Sequence, residues 1–242
     1  MDYEEISYGS NRALSHEQEL NAQLAFPALM RKVYVWMSLA LVITGLSAYV
    51  VANSPVLSSA VLNNSVIFWV LVISELALVL GLSSAINKLS LTIATLMFVL
   101  YSVINGVTMS SIFLIYSTSS IAQVFFITAG TFAVMAFIGY TTKTDLTSIG
   151  KISLMALIGL IIAGIVNIFL RNSMFDLIIS GVGVLVFVGL TAYDSQKIKE
   201  MLSTATDTGE VAQKFALLGA LTLYLDFINL FLYLLRLLGR RD

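Results

Sequence analysis

The sequence predicts an all-α polytopic membrane protein, a bundle of seven helices. Three observations predict it. Of the 242 residues, 58% are hydrophobic and only 11% charged, with a mean hydropathy of +0.93, whereas a soluble domain carries about 25% charged residues. Seven stretches reach the ~20 apolar residues that a helix needs to cross a bilayer. None shows the ten-residue alternation of an outer-membrane barrel, which leaves continuous helices to satisfy the backbone polar groups in lipid.

Taken in order, residues 1–29 carry Asp2, Glu4, Glu5, Glu17 and Glu19 and no apolar core. They read as a polar, mobile cytoplasmic tail and not as a cleavable signal peptide. His16, the only histidine, lies beside Glu17 and reads as solvated. The transmembrane domain then occupies 30–242 and enters the membrane after Arg31 and Lys32. Its predicted spans are 33–52, 66–84, 91–115, 121–140, 152–170, 177–198 and 215–238. Pro27 and Pro55, the only two prolines, fall outside all of them, which favours unbroken helices. The connections are short except for a polar loop at 201–213. No linker divides the chain and no internal repeat is visible, so an inverted-repeat transporter is disfavoured.

Basic residues set the orientation. With the N-terminus in the cytoplasm, Arg12, Arg31, Lys32, Lys88, Lys143, Lys151, Lys197, Lys199 and Lys214 fall inside; Arg171, Arg236, Arg240 and Arg241 fall outside, nine against four. Three of those outer four form the extreme C-terminus. A re-entrant last segment would return them to the cytoplasm, so six crossings stay open beside the preferred seven.

Composition also excludes functions. A net charge of −1 leaves no basic footprint for nucleic acid. The absence of cysteine rules out disulfides, thiolate metal sites and cysteine nucleophiles. There is no phosphate-binding loop, no zinc-protease motif and no cofactor signature, so the chain does not read as an enzyme.

The chemistry concentrates in a few polar residues. Asp226 sits deep in the last apolar run with no basic residue within a helical turn, and a carboxylate there normally faces the protein and has a partner. Thr222, Asp226, Asn229 and Tyr233 follow helical spacing on one face, predicted to point into the bundle. Asp194 ends a shorter stripe with Thr191 and Lys197 on the preceding span. Tyr101, Asn105 and Thr108 share a face of the third span, and Glu75 is isolated in the second. Each has a plainer role: Asn105, Thr108 and Asn229 as packing glue between helices, and Asp194 as a partner of Lys197 at the headgroup region.

Two carboxylates held close in low dielectric do not both ionise cheaply and share a proton. Singly protonated, Asp194 and Asp226 would hold the last two helices together by a hydrogen bond; doubly ionised, they would repel unless a cation intervened. Their oxygens suit Ca²⁺ but are too few for a tight site, so no firm metal site is expected, only transient Ca²⁺ contact along a path. Glu75, Lys88, Asn105 and Asn229 are the candidate gate or path residues. Counted from the loop, the two aspartates differ in depth by on the order of 8 Å, which a deeper start of the last helix would remove.

Residues 189–198 (GLTAYDSQKI), 221–231 (LTLYLDFINLF) and 139–145 (GYTTKTD), together with Glu75, resemble the Bax inhibitor-1 family, the transmembrane Bax inhibitor motif proteins, and most closely its bacterial branch. The resemblance covers about 30–241. It implies a last helix wrapped by the other six, a pH-sensitive calcium leak, and Asp194 and Asp226 as the pH-sensing pair, in a bacterial cytoplasmic membrane. Two features depart from the family: the long 201–213 loop, and Asn87 and Lys88 where relatives place an arginine latch. Lysine is a point charge without arginine's fork, so Lys88 would latch more weakly. Some bacterial relatives bind a membrane-embedded quality-control protease, which makes an interaction protein the alternative reading. Proton-coupled solute transport and an intramembrane aspartic hydrolase have less support.

Overall fold

The computed structural model describes residues 3–205 and 207–240, with side chains from Leu24 onward except Leu62 and residue 206. The described residues form helices and no strand. In chain order these are α1 (Tyr3–Ala52), α2 (Pro55–Leu62), α3 (Ser65–Ala85), α4 (Leu91–Met109), α5 (Ile112–Ile115), α6 (Thr118–Thr141), α7 (Thr147–Leu170), α8 (Ser173–Ser203) and α9 (Glu210–Leu238). Seven of the resulting helical segments are long and apolar enough to cross a membrane, α4 and α5 counting as one.

Short polar side chains start the helices. Ser54 accepts from Leu57 N with Pro55 at the first helical position, Asn64 accepts from Val66 N and Ile67 N, Ser90 from Ile93 N, and Asn172 from Phe175 N. Each satisfies donors that a helix leaves unpaired at its first turn.

Three sequence expectations change. α1 runs without a break through the predicted boundary between tail and bundle at 29/30, and Pro27 lies inside it. Ala25, Leu29 and Met30 are buried in the core, so packing begins before Arg31 and Lys32. The side chains of the acidic residues before Leu24, and of His16, lie outside the described residues. The third span breaks at Ser110 and Ser111, whose hydroxyls donate back to the carbonyls of Val107 (2.7 Å) and Thr108 (3.3 Å); such back-bonding serine pairs bend helices. The 201–213 loop contracts to 204–209, because α8 continues through Ser203 and α9 starts at Glu210.

The last helix is central. Of its most apolar stretch 67% is buried, against 6% for α3 and 11% for α7. α9 packs on α8, α1, α6 and α4, whereas α3 leans on α4 and α7 on α8. Four helices therefore form the main sleeve around α9, and two lie outside it, where all six were expected to wrap it. α9 is continuous over 29 residues, about 43 Å at 1.5 Å per residue, long enough to cross a bilayer and without the break that a re-entrant segment needs. Its end is tied to the start of α6, where Arg240 N donates to Ser120 Oγ (2.9 Å).

Glycine lets the helices approach. Gly139 of α6 lies against the backbone of Ala192 on α8, and Gly183 of α8 against the ring of Tyr233 on α9. In lipid, where burial of apolar surface drives little, such close packing is a principal source of helix association.

The turn between α6 and α7 is clamped by Gln196 of α8, which accepts from Leu146 N (2.8 Å) and donates to the Thr144 carbonyl (2.9 Å). In the same turn Asp145 accepts from Thr147 N at 2.8 Å. Hydrogen bonds from the Thr147 hydroxyl and N–H hold its carboxyl below the usual aspartate range. A carboxyl lowered on folding stabilises above its unfolded pKa, near 3.9, and loses that contribution as pH falls through the folded value. Protection of the Thr147 amide against hydrogen exchange, relative to Asp145→Ala, is expected to drop below about pH 4; equal protection in both proteins at all pH values would exclude this hydrogen bond.

Candidate functional site

The carboxyl groups of Asp194 on α8 and Asp226 on α9 meet side chain to side chain. Asp226 is only 4% exposed, and Asp194 is half-buried. The expected depth mismatch is absent because of the helix register. Gly183 faces Tyr233 and Gly219 faces Ile198; these pairs and 194/226 share nearly one midpoint, at or beside Gly209. The first turn of α9 therefore overhangs the end of α8, and Asp226 comes level with Asp194.

Two ionised carboxylates offer acceptors only, so a hydrogen bond between them requires one proton. Asp226 Oδ2 and Ser195 Oγ are buried without a hydrogen-bond partner, so acceptor capacity remains at the pair. The cation beside Asp194 is Lys197, one turn along α8. Lys88 is exposed on the turn between α3 and α4 and is not the dyad's basic neighbour. The buried lysine is Lys214, whose Nζ donates to the Leu89 carbonyl (3.0 Å) and lies 3.8 Å from Glu210 Oε1. Glu210 Oε1 also accepts from Leu91 N (3.0 Å). These two side chains dock the α3–α4 turn onto the start of α9. Sequence reasoning used Lys214 as a topology marker and as the origin for the depth of Asp226, not as a docking residue.

A second polar centre lies on the other side of α9. Thr108 Oγ1 donates to Glu75 Oε1 (2.6 Å), and Asn105 Nδ2 donates to Glu75 Oε2 (3.3 Å). The Tyr224 hydroxyl donates to Asn105 Oδ1 (3.0 Å) and lies 2.7 Å from Thr44 Oγ1, which donates to the Ser102 carbonyl (2.9 Å). The Tyr224 ring is fully buried, edge-on to Phe98 and Tyr101. Tyr224 and Asp226 are two residues apart, about 200° around a helix, so the two centres occupy opposite faces of α9.

The predicted single inward stripe of the last helix is accordingly not one face. Thr222 and Asn229 donate to the carbonyls of Leu218 (3.1 Å) and Leu225 (2.8 Å) on their own helix, and the leucines and aromatics between them are as buried as the polar residues. A central helix has no outer face. Tyr224 and Thr44 escaped the sequence reading because a single tyrosine or threonine in an apolar run carries no periodic signal.

Glu75 opens into a crevice of about 620 Å³ that also takes in Asn105, Thr108, Asp176 and Arg236. α3 has only Leu82 buried, so Glu75 is its main polar tie to α4. Glu75→Ala is expected to cost about 2 kcal/mol of stability, the scale of a lost charge-assisted hydrogen bond. The unfolding temperature in detergent measures it, and an unchanged temperature would show that the tie does not hold α3. Among the described residues no cluster of three or more metal-ligating side chains forms, so the aspartate pair offers a cation carboxylate oxygens but no complete cage.

Residues 27–242 match the family profile described as "Inhibitor of apoptosis-promoting Bax1". The chain is 47% identical to the inner membrane protein YbhL of Escherichia coli K12 over 214 residues, 88% of this chain and 91% of that one. It is 45% identical to an uncharacterised protein of Borreliella burgdorferi, over 93% of this chain and 97% of the other. With an uncharacterised protein of Rickettsia prowazekii the identity is 41%, over 88% and 89% of the two chains. The seven spans, the central last helix and this match along nearly the whole chain make it an integral membrane protein that belongs to the Bax inhibitor-1 family.

Proposed function

We propose that this protein lets Ca²⁺ leak across the cytoplasmic membrane of a bacterium, at a rate set by a proton shared between Asp194 and Asp226. The observation that carries the reading is the meeting of these two carboxyl groups in the bundle, one of them almost fully enclosed. With one proton the pair is a hydrogen bond that ties α8 to α9. Without it, two like charges face each other in low dielectric, and a hard cation is the partner that relieves them. The orphaned Asp226 Oδ2 is free to coordinate.

The Glu75 crevice supplies further oxygen ligands at a second point along the bundle. Two carboxylates supply fewer than the six to eight oxygens of a tight calcium site, which favours passage over storage. The excess of basic residues in the loops assigned to the inside favours a cytoplasmic N-terminus, and the inner-membrane location of the Escherichia coli relative supports the same membrane here. Ca²⁺ uptake into proteoliposomes at pH 6, 7 and 8, with wild type and Asp226→Asn side by side, tests the reading. Uptake no faster than in empty vesicles at every pH overturns it.

A further inference from the structure

Between α1 and α6 a long apolar groove opens sideways from the bundle, and neither polar centre uses it. The two helices both pack on α9 but scarcely touch each other. The space between them has a volume of about 1020 Å³. Small residues, Gly45 on one side and Ala129, Ala133 and Ala136 on the other, keep its walls low. Its floor includes Phe132 and Phe227, whose ring centres are 5.5 Å apart.

Length and width decide what fits. The groove runs from Pro27 to Leu46 along α1, about 28 Å, and from Tyr140 back to Phe125 along α6, about 22 Å, at 1.5 Å per residue. One leaflet with its headgroup zone is about 20–22 Å deep, half of the 40–45 Å bilayer. A partner helix that spans the bilayer would continue through the other leaflet, beyond the end of the groove at Leu46 and Phe125. Acyl chains are thinner and end where the groove ends.

Charge decides which headgroup. Arg31, at one end, is the only lining residue that carries a full charge. At the same end Lys199 donates to the Tyr140 carbonyl (2.8 Å), its ammonium 5.3 Å from the ring centre. Tyr34 and Tyr140 also line that end, which is the depth at which tyrosines sit among headgroups. No acidic side chain lines the groove.

We propose that this groove binds one anionic glycerophospholipid, with its phosphate at Arg31 and its acyl chains laid between α1 and α6 onto Phe132 and Phe227. The inference does not depend on the calcium reading. The lipid packs against the residue that follows Asp226, so it helps to fix the central helix from the membrane side.

The full-length protein in mixed micelles of equimolar phosphatidylglycerol and phosphatidylcholine provides the test, with native mass spectrometry counting retained lipids. The parent is expected to keep one phosphatidylglycerol about fivefold in preference to phosphatidylcholine, the effect of one basic residue at a membrane surface. Arg31→Gln should bring the two lipids to near-equal retention. Ala133→Phe, on an open wall, should expel both while leaving the unfolding temperature in detergent close to that of the parent, and Ala136→Leu serves as a second filling variant. Equal retention of the two lipids by the parent, or full retention in both filling variants, overturns the proposal. So does a filling variant that converts a dimer to a monomer without losing lipid, because the groove would then belong to a second copy of the chain.

Discussion

Asparagine in place of Asp226 is expected to abolish the pH dependence of Ca²⁺ uptake by proteoliposomes. The wild type is expected to change its rate severalfold between pH 6 and pH 8, as the shared proton is lost. The variant is expected to hold one rate throughout. Asparagine keeps the shape of the side chain and its hydrogen-bonding capacity and loses only the titratable proton. Asp194→Asn should flatten the profile in the same way, and the double variant should add nothing, because groups that act through one proton are strongly non-additive. Two single variants with different residual pH profiles would mean that each carboxyl titrates alone, with Asp194 answering to Lys197. That outcome sinks the shared proton but leaves the fold untouched.

Valine at Gly139 is expected to prevent recovery of a folded protein. A Cβ there would collide with the Ala192 carbonyl of α8. The obstacle is backbone, and α8 is already held by α7 and α9 on its other sides. Overpacking against movable side chains costs about 1–3 kcal/mol; with a fixed carbonyl in the way the cost lies at or above the top of that range. Gly139→Ala should already lower the unfolding temperature, and Gly139→Val should leave little monodisperse protein in size-exclusion chromatography. Gly164→Ala is the control, because nothing lies within 4 Å of a Cβ at that position and alanine is the better helix former. If Gly139→Ala melts with the control, α6 and α8 do not touch where the structure puts them. Ala192 lies two residues before Asp194, so this contact also fixes the helix that carries one of the two acids.

The spans and the acidic pair were legible in the sequence because hydropathy over twenty residues is a strong signal and a buried aspartate is rare. Their extents were less so. Charges were taken as membrane boundaries, but Lys214 is buried against the Leu89 carbonyl, and depth measured from it misplaced Asp226 relative to Asp194. Pro27 was placed in the polar tail, outside every span, and α1 passes through it. Lys88 and Asn229 were drawn towards the gate by their place in the chain; one is exposed on a turn and the other bonds to its own helix. Asn105 and Thr108 were grouped as a face of the third span, but Glu75 was read as isolated, and only the packing of α3 on α4 brings it to them. The link onward through Tyr224 to Thr44 joins residues 180 positions apart, and no local pattern records such a contact.

Asp226 and Tyr224 ride on the same continuous rod, facing away from each other. A roll of that rod about its own axis that pulls the acid away from α8 also drags the phenol away from Asn105. The carboxyl pair and the Glu75 crevice are thereby geared to one shaft, and whatever loosens one side of it is felt on the other without any chain of side chains running between them.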